Sequence, residues 1–116
     1  MSIPVSLTEL PDVMGRYAPN PYLLTASPDG TPRATSVTVQ WSGSLLMAGA
    51  GRRSAANVMA NDQVALLFPP TEPGDYTLIV DGWGEIQDGP VRGLVVVIQP
   101  KSAILHVTQT ADPAKR

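Results

Sequence analysis

Proline and glycine divide this chain into short apolar segments, and that division limits the folds it can adopt. The 116 residues include 12 prolines and 10 glycines, and groups such as Pro28-Asp29-Gly30-Thr31-Pro32 favour tight chain reversals. Seven segments between such groups have the composition or alternation of β-strands: 22–27, 33–41, 44–48, 63–68, 76–87, 94–99 and 103–108. Tight hairpins and short strands predict a mainly β fold, a small antiparallel barrel of six to seven strands.

Two short helices complete the prediction. The first runs from Ser6 to Tyr17, where Ser6 and Glu9 have the spacing of a capping box, although Pro11 would also allow a start near Leu10. The second, Ala55 to Ala60, follows the third strand. We therefore expect one domain over residues 1–116, with an N-terminal helical segment over 1–20 and a frayed tail over 110–116.

The second predicted strand alternates clearly. Thr35, Val37, Val39 and Trp41 share one face, and the intervening residues share the other. Together with its neighbours 22–27 and 44–48 this strand predicts a three-stranded meander.

Composition excludes several classes of function. A formal charge of −2 and no cysteine argue against nucleic-acid binding, disulfides, thiolate catalysis and cysteine-bound metals. With one histidine in addition, we expect no zinc site, and His106 is the only possible haem ligand. The first residues lack a secretory signal and no run is long enough to cross a membrane, so we expect a cytoplasmic protein.

The stretch from Gly49 to Val64 is the best candidate for a ligand site. Arg52 and Arg53 precede Ser54, which is placed to cap the second helix. Free backbone N–H groups, the helix dipole and the arginine side chains would together favour a phosphate. The ordinary alternative is that Ser54 is only a cap and the arginines only a solvated corner. The spacing fits neither a Walker loop nor a dinucleotide-binding loop.

Two stretches carry a family resemblance. These are L-L-T-A-S-P-D-G-T-P-R-A-T-S-V and G-R-R-S-A-A-N-V-M-A-N-D-Q-V-A-L-L-F, and the order and spacing of the surrounding elements agree with them. From about Tyr22 to Gln109 the chain resembles the FMN-binding split-barrel family, the pyridoxamine 5′-phosphate oxidase-like proteins, and above all its small single-domain flavoproteins. The resemblance implies a split barrel that forms a homodimer, binds FMN between its subunits and acts as an oxidoreductase through the flavin.

The resemblance also implies which residues bind the cofactor. Thr35, Ser36, Arg53 and Ser54 would meet the phosphate, and Asn57 would brace the loop or reach the ligand.

Three further positions follow less directly. The backbone near Val37 and Thr38 would lie along the flavin ring. Arg52 would add charge, although it matches no consistent family position.

The chain also departs from the larger enzymes of this family. Residues 88–93 leave no room for the extra helix found there, and the sequence ends soon after Gln109, where those enzymes have basic and histidine residues that hold the substrate. This counts against pyridoxamine-phosphate oxidation and leaves the substrate or electron partner open. The deazaflavin F420 is an alternative cofactor, since its acidic tail would suit Arg52, Arg53 and Arg33. A flavin carrier without its own substrate and a barrel without ligand are further alternatives.

Other residues have mainly structural interpretations. Gly82 and Gly84 predict a bend or a close approach in the strand 76–87. Trp83 between them could stack on a ligand or serve as a packing anchor. His106 is expected to be a half-buried sheet residue.

Overall fold

The computed structural model describes residues 2–72, 74–89 and 93–107. The elements along the chain are β1 (Ser2–Val5), α1 (Leu10–Met14), β2 (Tyr22–Ala26), β3 (Pro32–Ser36), β4 (Val39–Ser42), β5 (Leu45–Ala50), α2 (Arg52–Ala60), β6 (Gln63–Phe68), β7 (Thr77–Asp88) and β8 (Leu94–His106). The predicted mainly β class is confirmed. The predicted frayed tail, 110–116, lies outside the described residues.

The strands form one antiparallel sheet whose two ends are joined by a very short link. The order is β3-β2-β6-β7-β8-β5-β4, with β1 added on β8. Only Val37 and Thr38 connect β3 to β4, and a chain extends by at most about 3.6 Å per residue. The two ends of the sheet must therefore lie within about 11 Å of each other, which requires the sheet to curve into a barrel. We call the gap between β3 and β4, which are not neighbours in the strand order, the seam.

This connection corrects two predictions. The segment 33–41 is two strands and not one, and it does not form a meander with its neighbours, because β3 and β4 lie at opposite ends of the sheet. At the seam the N–H of Val37 donates to Pro21 O at 3.0 Å and that of Val39 to Pro19 O at 2.9 Å. These bonds hold the crossing residues against the segment before β2.

The last two predicted strands are in fact one. Asp81 pairs with Ser102 and Gly82 with Pro100, so Lys101 is the extra residue of a β-bulge. The bulge accommodates the proline that suggested an interruption. A further strand, β1, was not predicted; it has four residues including Pro4, and its partner is the distant segment Ala103–His106.

The first helix is shorter than predicted, and Glu9 is its N-cap in place of the predicted Ser6. The expected Ser6–Glu9 hydrogen bonds do form, in the turn before the helix. Ser6 Oγ donates to Glu9 Oε1 at 2.8 Å and Glu9 N–H donates to Ser6 Oγ at 3.2 Å. The helix itself begins at Leu10, because Pro11 has no N–H and is tolerated only in a first turn. No helix among the described ranges is long and apolar enough to cross a membrane.

The barrel interior is filled by alternate residues of the strands. Fully buried side chains include Leu23, Leu46, Leu66, Leu78, Val80, Val96 and Ile98. From α2, Val58 packs on Gly84, where an added Cβ would lie 3.1 Å from Val58 Cγ1. The predicted close approach at the paired glycines is therefore confirmed, and it lets α2 cover one end of the barrel.

Candidate functional site

The second helix begins three residues earlier than the cap prediction placed it. Gly51 is the N-cap, with φ −74° and ψ 171°, and no side chain caps the helix. The prediction that Ser54 is the cap is wrong, because Gly51 adopts the extended conformation of that position and Ala55 N–H donates to Gly51 O at 2.9 Å. The N–H groups of Arg52, Arg53 and Ser54 consequently have no partner within the helix.

Ser54 instead faces the barrel. Its side chain is 3% exposed, and its Oγ lies 3.3 Å from Thr35 Oγ1 on β3. One turn later Asn57 Nδ2 donates to Thr25 Oγ1 at 3.1 Å. The pair Thr35 and Ser54 has two hydroxyl hydrogens and one mutual bond, so one hydrogen remains available to an acceptor.

The first turn of α2 is unusually positive. Arg52 and Arg53 are exposed, and the turn contains no acidic residue. Cations at a helix N-terminus oppose the helix dipole, and neither guanidinium is within 4.0 Å of a carboxylate in the described ranges. A bound anion would remove this unfavourable arrangement. We call Thr35, Ser54 and the first turn of α2 the anion corner.

A shallow groove begins at the seam, at Thr38. It has a volume of about 180 Å³ and lies on the outer face of β4, β5 and β8, where it is lined by Thr38, Val39, Gln40, Met47, Ala48, Gly49 and Val95. Gly49 is three residues before Arg52, a span of at most about 11 Å. An elongated ligand could thus place one end at the corner and a flat portion in the groove.

The structure brings some of the predicted site residues together and places others elsewhere. Thr35, Ser54 and Asn57 lie together between β3, β2 and α2, and Thr38 lines the groove. Ser36 is exposed on the face opposite Thr35. Val37 is buried and its N–H is bonded to Pro21, so this amide is not available to a ligand.

The sequence prediction missed the groove residues on β5 and β8. Met47 and Gly49 alternate with the buried Leu46 and Ala48. A period-two pattern would therefore assign Met47 and Gly49 to an outer face. That this face borders the seam follows only from the strand order.

Two other candidates lie away from the anion corner. His106 is half-buried beside Ser2 Oγ, 3.4 Å from its Nδ1, and pairs with Thr77 at the far end of β7 from Gly84. Gly84 is the residue on which α2 packs, and the seven residues of strand between it and Thr77 correspond to about 23 Å. Trp83 points outward, is 39% exposed, and has Lys101 Nζ 5.1 Å from its ring centroid. In the described part of the chain, no three acidic or histidine side chains form a metal-binding group.

Comparison with solved structures identifies the fold. The chain superposes with a TM-score of 0.69 on a candidate pyridoxamine 5′-phosphate oxidase of Listeria innocua, with 16% identity over 85% of this chain and 96% of the other. An FAD-binding protein of Mesorhizobium loti also gives 0.69, with 13% identity over 94% and 98%. An F420 reductase gives 0.59, with 24% identity over 72% and 87%. The chain therefore has the fold of these proteins, a split barrel, as the resemblance predicted.

Sequence comparison extends less far. No family model matches the chain. Uncharacterised proteins of Mycobacterium bovis and Mycobacterium tuberculosis are each 36% identical over 64 residues, which cover 53% of this chain and 45% of theirs. The chain thus spans less than half the length of the curated relatives it matches.

Proposed function

We propose that this protein binds FMN, with the phosphate in the anion corner, and acts as a flavin-dependent oxidoreductase. The observation that carries the proposal is the first turn of α2, which has no side-chain cap and carries Arg53, beside a hydroxyl pair that has one hydrogen to spare. Each of these groups donates to an anion, and together they match the several oxygens of a phosphate.

The residues present also fit the remainder of FMN. The groove has an apolar floor at Met47 and Val95 for one face of a ring, and polar groups at Thr38 and Gln40 for its edge. When bound, the flavin supplies the hydride or electron transfer. The chain binds the phosphate, orients the ring and excludes water from one side of it.

A second copy of the chain would complete the groove. Its volume of about 180 Å³ is below the roughly 300 Å³ at which ligand pockets begin. Outward-facing Leu45, Met47, Val95 and Val97 form a half-exposed apolar surface beside it. A homodimer that pairs these surfaces would enclose the ring from both sides.

F420 is the second candidate cofactor. The arginines of the anion corner would suit its acidic tail as well as its phosphate, and the F420 reductase is 24% identical to this chain. The same corner would then hold the ligand, with a different ring in the groove.

Titration of the purified protein tests the proposal. We expect FMN to quench tryptophan fluorescence saturably at micromolar concentration or below, and riboflavin to bind at least tenfold more weakly because it has no phosphate. Arg53→Gln should weaken FMN binding about 10- to 100-fold with little effect on riboflavin. The matched control is Arg16→Gln, an exposed arginine after α1.

Each other outcome identifies a different function. Binding of F420 without FMN would move the protein to the deazaflavin alternative, and binding of haem alone would point to His106. FMN binding without turnover of any electron donor would indicate a carrier. If none of these ligands binds, the proposal is wrong and the barrel is an interaction module.

A further inference from the structure

Arg33 lies on the same face of the sheet as the hydroxyl pair. It is two residues from Thr35 on β3, and side chains two apart on a strand point to the same side. In the β2–β3 register Arg33 is opposite Thr25 and Thr35 is opposite Leu23. Since Thr25 accepts a hydrogen bond from Asn57, Arg33 is directly beside the line along which α2 contacts the sheet.

The orientation of α2 separates its two arginines. Arg53 precedes Asn57 by four residues, so the two side chains share one flank of the helix, and that flank faces β2 and β3. Arg52 precedes the exposed Ala56 by the same spacing. Arg52 is about 100° round the helix from Arg53 and therefore lies off this flank. Arg53 lies on the flank that faces β2 and β3, the side on which Arg33 lies.

Arg33 and Arg53 thus flank the Thr35–Ser54 pair from the strand and from the helix. Neither guanidinium is bonded to a carboxylate in the described ranges. Ser54 is almost completely buried, and its hydrogen bond with Thr35 uses only one of the two hydroxyl hydrogens of the pair. A phosphate between these two guanidinium groups could accept hydrogen bonds from both of them and from the hydroxyl pair.

We propose that Arg33, and not Arg52, is the second guanidinium of the phosphate site. The inference rests on the proposed function and sharpens it: the phosphate is held from both sides, by Arg53 of α2 and by Arg33 of β3. It replaces the sequence-based expectation that neighbouring Arg52 adds the further charge.

Matched substitutions of the two arginines test this assignment. Arg33→Gln should weaken FMN binding about 10- to 100-fold and leave the riboflavin affinity unchanged, since riboflavin has no phosphate. Arg52→Gln removes the same charge and should change the FMN affinity less than about threefold, the screened effect of an exposed charge. Arg33→Lys should recover part of the loss, because a lysine still supplies the charge without the planar fork. Equal unfolding midpoints for the three variants and the wild type would show that the losses arise at the site.

The contrary results are distinct from failure of the proposed function. If the wild type binds FMN and Arg33→Gln binds it equally well, or Arg52→Gln loses as much, the assignment of Arg33 is wrong while FMN binding stands. If the wild type binds no FMN, the proposed function fails, and inorganic pyrophosphate titrated against amide resonances decides the inference. Shifts of Ser54 and Thr35 that Arg33→Gln abolishes and Arg52→Gln retains would support it, and any other pattern would overturn it.

Discussion

At the scale of single residues, Gly82 determines how closely β7 and β8 can approach at the bulge. A Cβ at this position would lie 2.6 Å from Gln99 O and 2.8 Å from Ile98 Cγ2. The first contact is with backbone, which cannot rotate away as a side-chain end can. Gly49, also in a strand, has nothing within 4 Å of an added Cβ.

These two glycines give a matched stability prediction. Gly82→Ala should lower the free energy of unfolding by about 1–3 kcal/mol, the usual cost of overpacking. Gly49→Ala should change it by less than about 0.5 kcal/mol. Chemical denaturation of both variants measures the difference, and equal stability would show that the sheet can shift at Gly82 without cost.

The roles of some residues could be predicted from the sequence, and the roles of others could not. The glycines around Trp83 were predicted to mark a close approach because a bare backbone inside a strand has few other uses. The role of Ser54 was misjudged because a cap is defined by where the helix starts, and Gly51 can take the same backbone conformation without a side-chain bond. Because the helix begins three residues earlier than predicted, Ser54 lies inside its first turn, where its hydroxyl is buried.

At the scale of elements, two polar contacts fasten α2 to the sheet. Asn57 with Thr25 and Ser54 with Thr35 are one turn apart on the helix. The same contacts position the first turn of the helix beside Thr35. Anything that loosens α2 should therefore reduce both stability and ligand affinity.

We expect Asn57→Ala to lower the free energy of unfolding by about 1–3 kcal/mol, because Thr25 Oγ1 would stay buried without its donor. Asn20→Ala, an exposed asparagine in the loop before β2, is the control and should be close to neutral. A double-mutant cycle with Thr25→Val should give a coupling between the two sites. No coupling would mean that the bond contributes nothing to the docking of the helix.

The break between β3 and β4 illustrates what strand patterns cannot show. Thr35, Val37, Val39 and Trp41 share one face as predicted, and that face is the more buried one. The alternation continues through the break because both strands present their inner faces to the same core. A period-two pattern gives the face of each residue but not its hydrogen-bonding neighbour, so it cannot distinguish a single strand from two strands at opposite ends of a sheet.

At the scale of the whole molecule, the outer surface of β5 and β8 should pair with that of another copy. Val97→Glu places a charge in this apolar surface, and we expect it to produce a monomer with at least tenfold weaker FMN binding, because the desolvation of a charge opposes association. Ala18→Glu adds the same charge at an exposed loop position and should leave a dimer. Sedimentation velocity with and without FMN distinguishes the cases. A wild type that is monomeric with bound FMN would contradict the expected interface.

The pairing of β1 with β8 has a consequence for the order of folding. Ser2 is opposite His106, so β1 can pair with β8 only after the other strands of the barrel have been synthesised. Contacts so distant in sequence are costly to close and slow the search for the native state. During synthesis β1 therefore remains unpaired until β8 is available. The β2–β3 hairpin can form earlier, because its two strands are neighbours in the sequence.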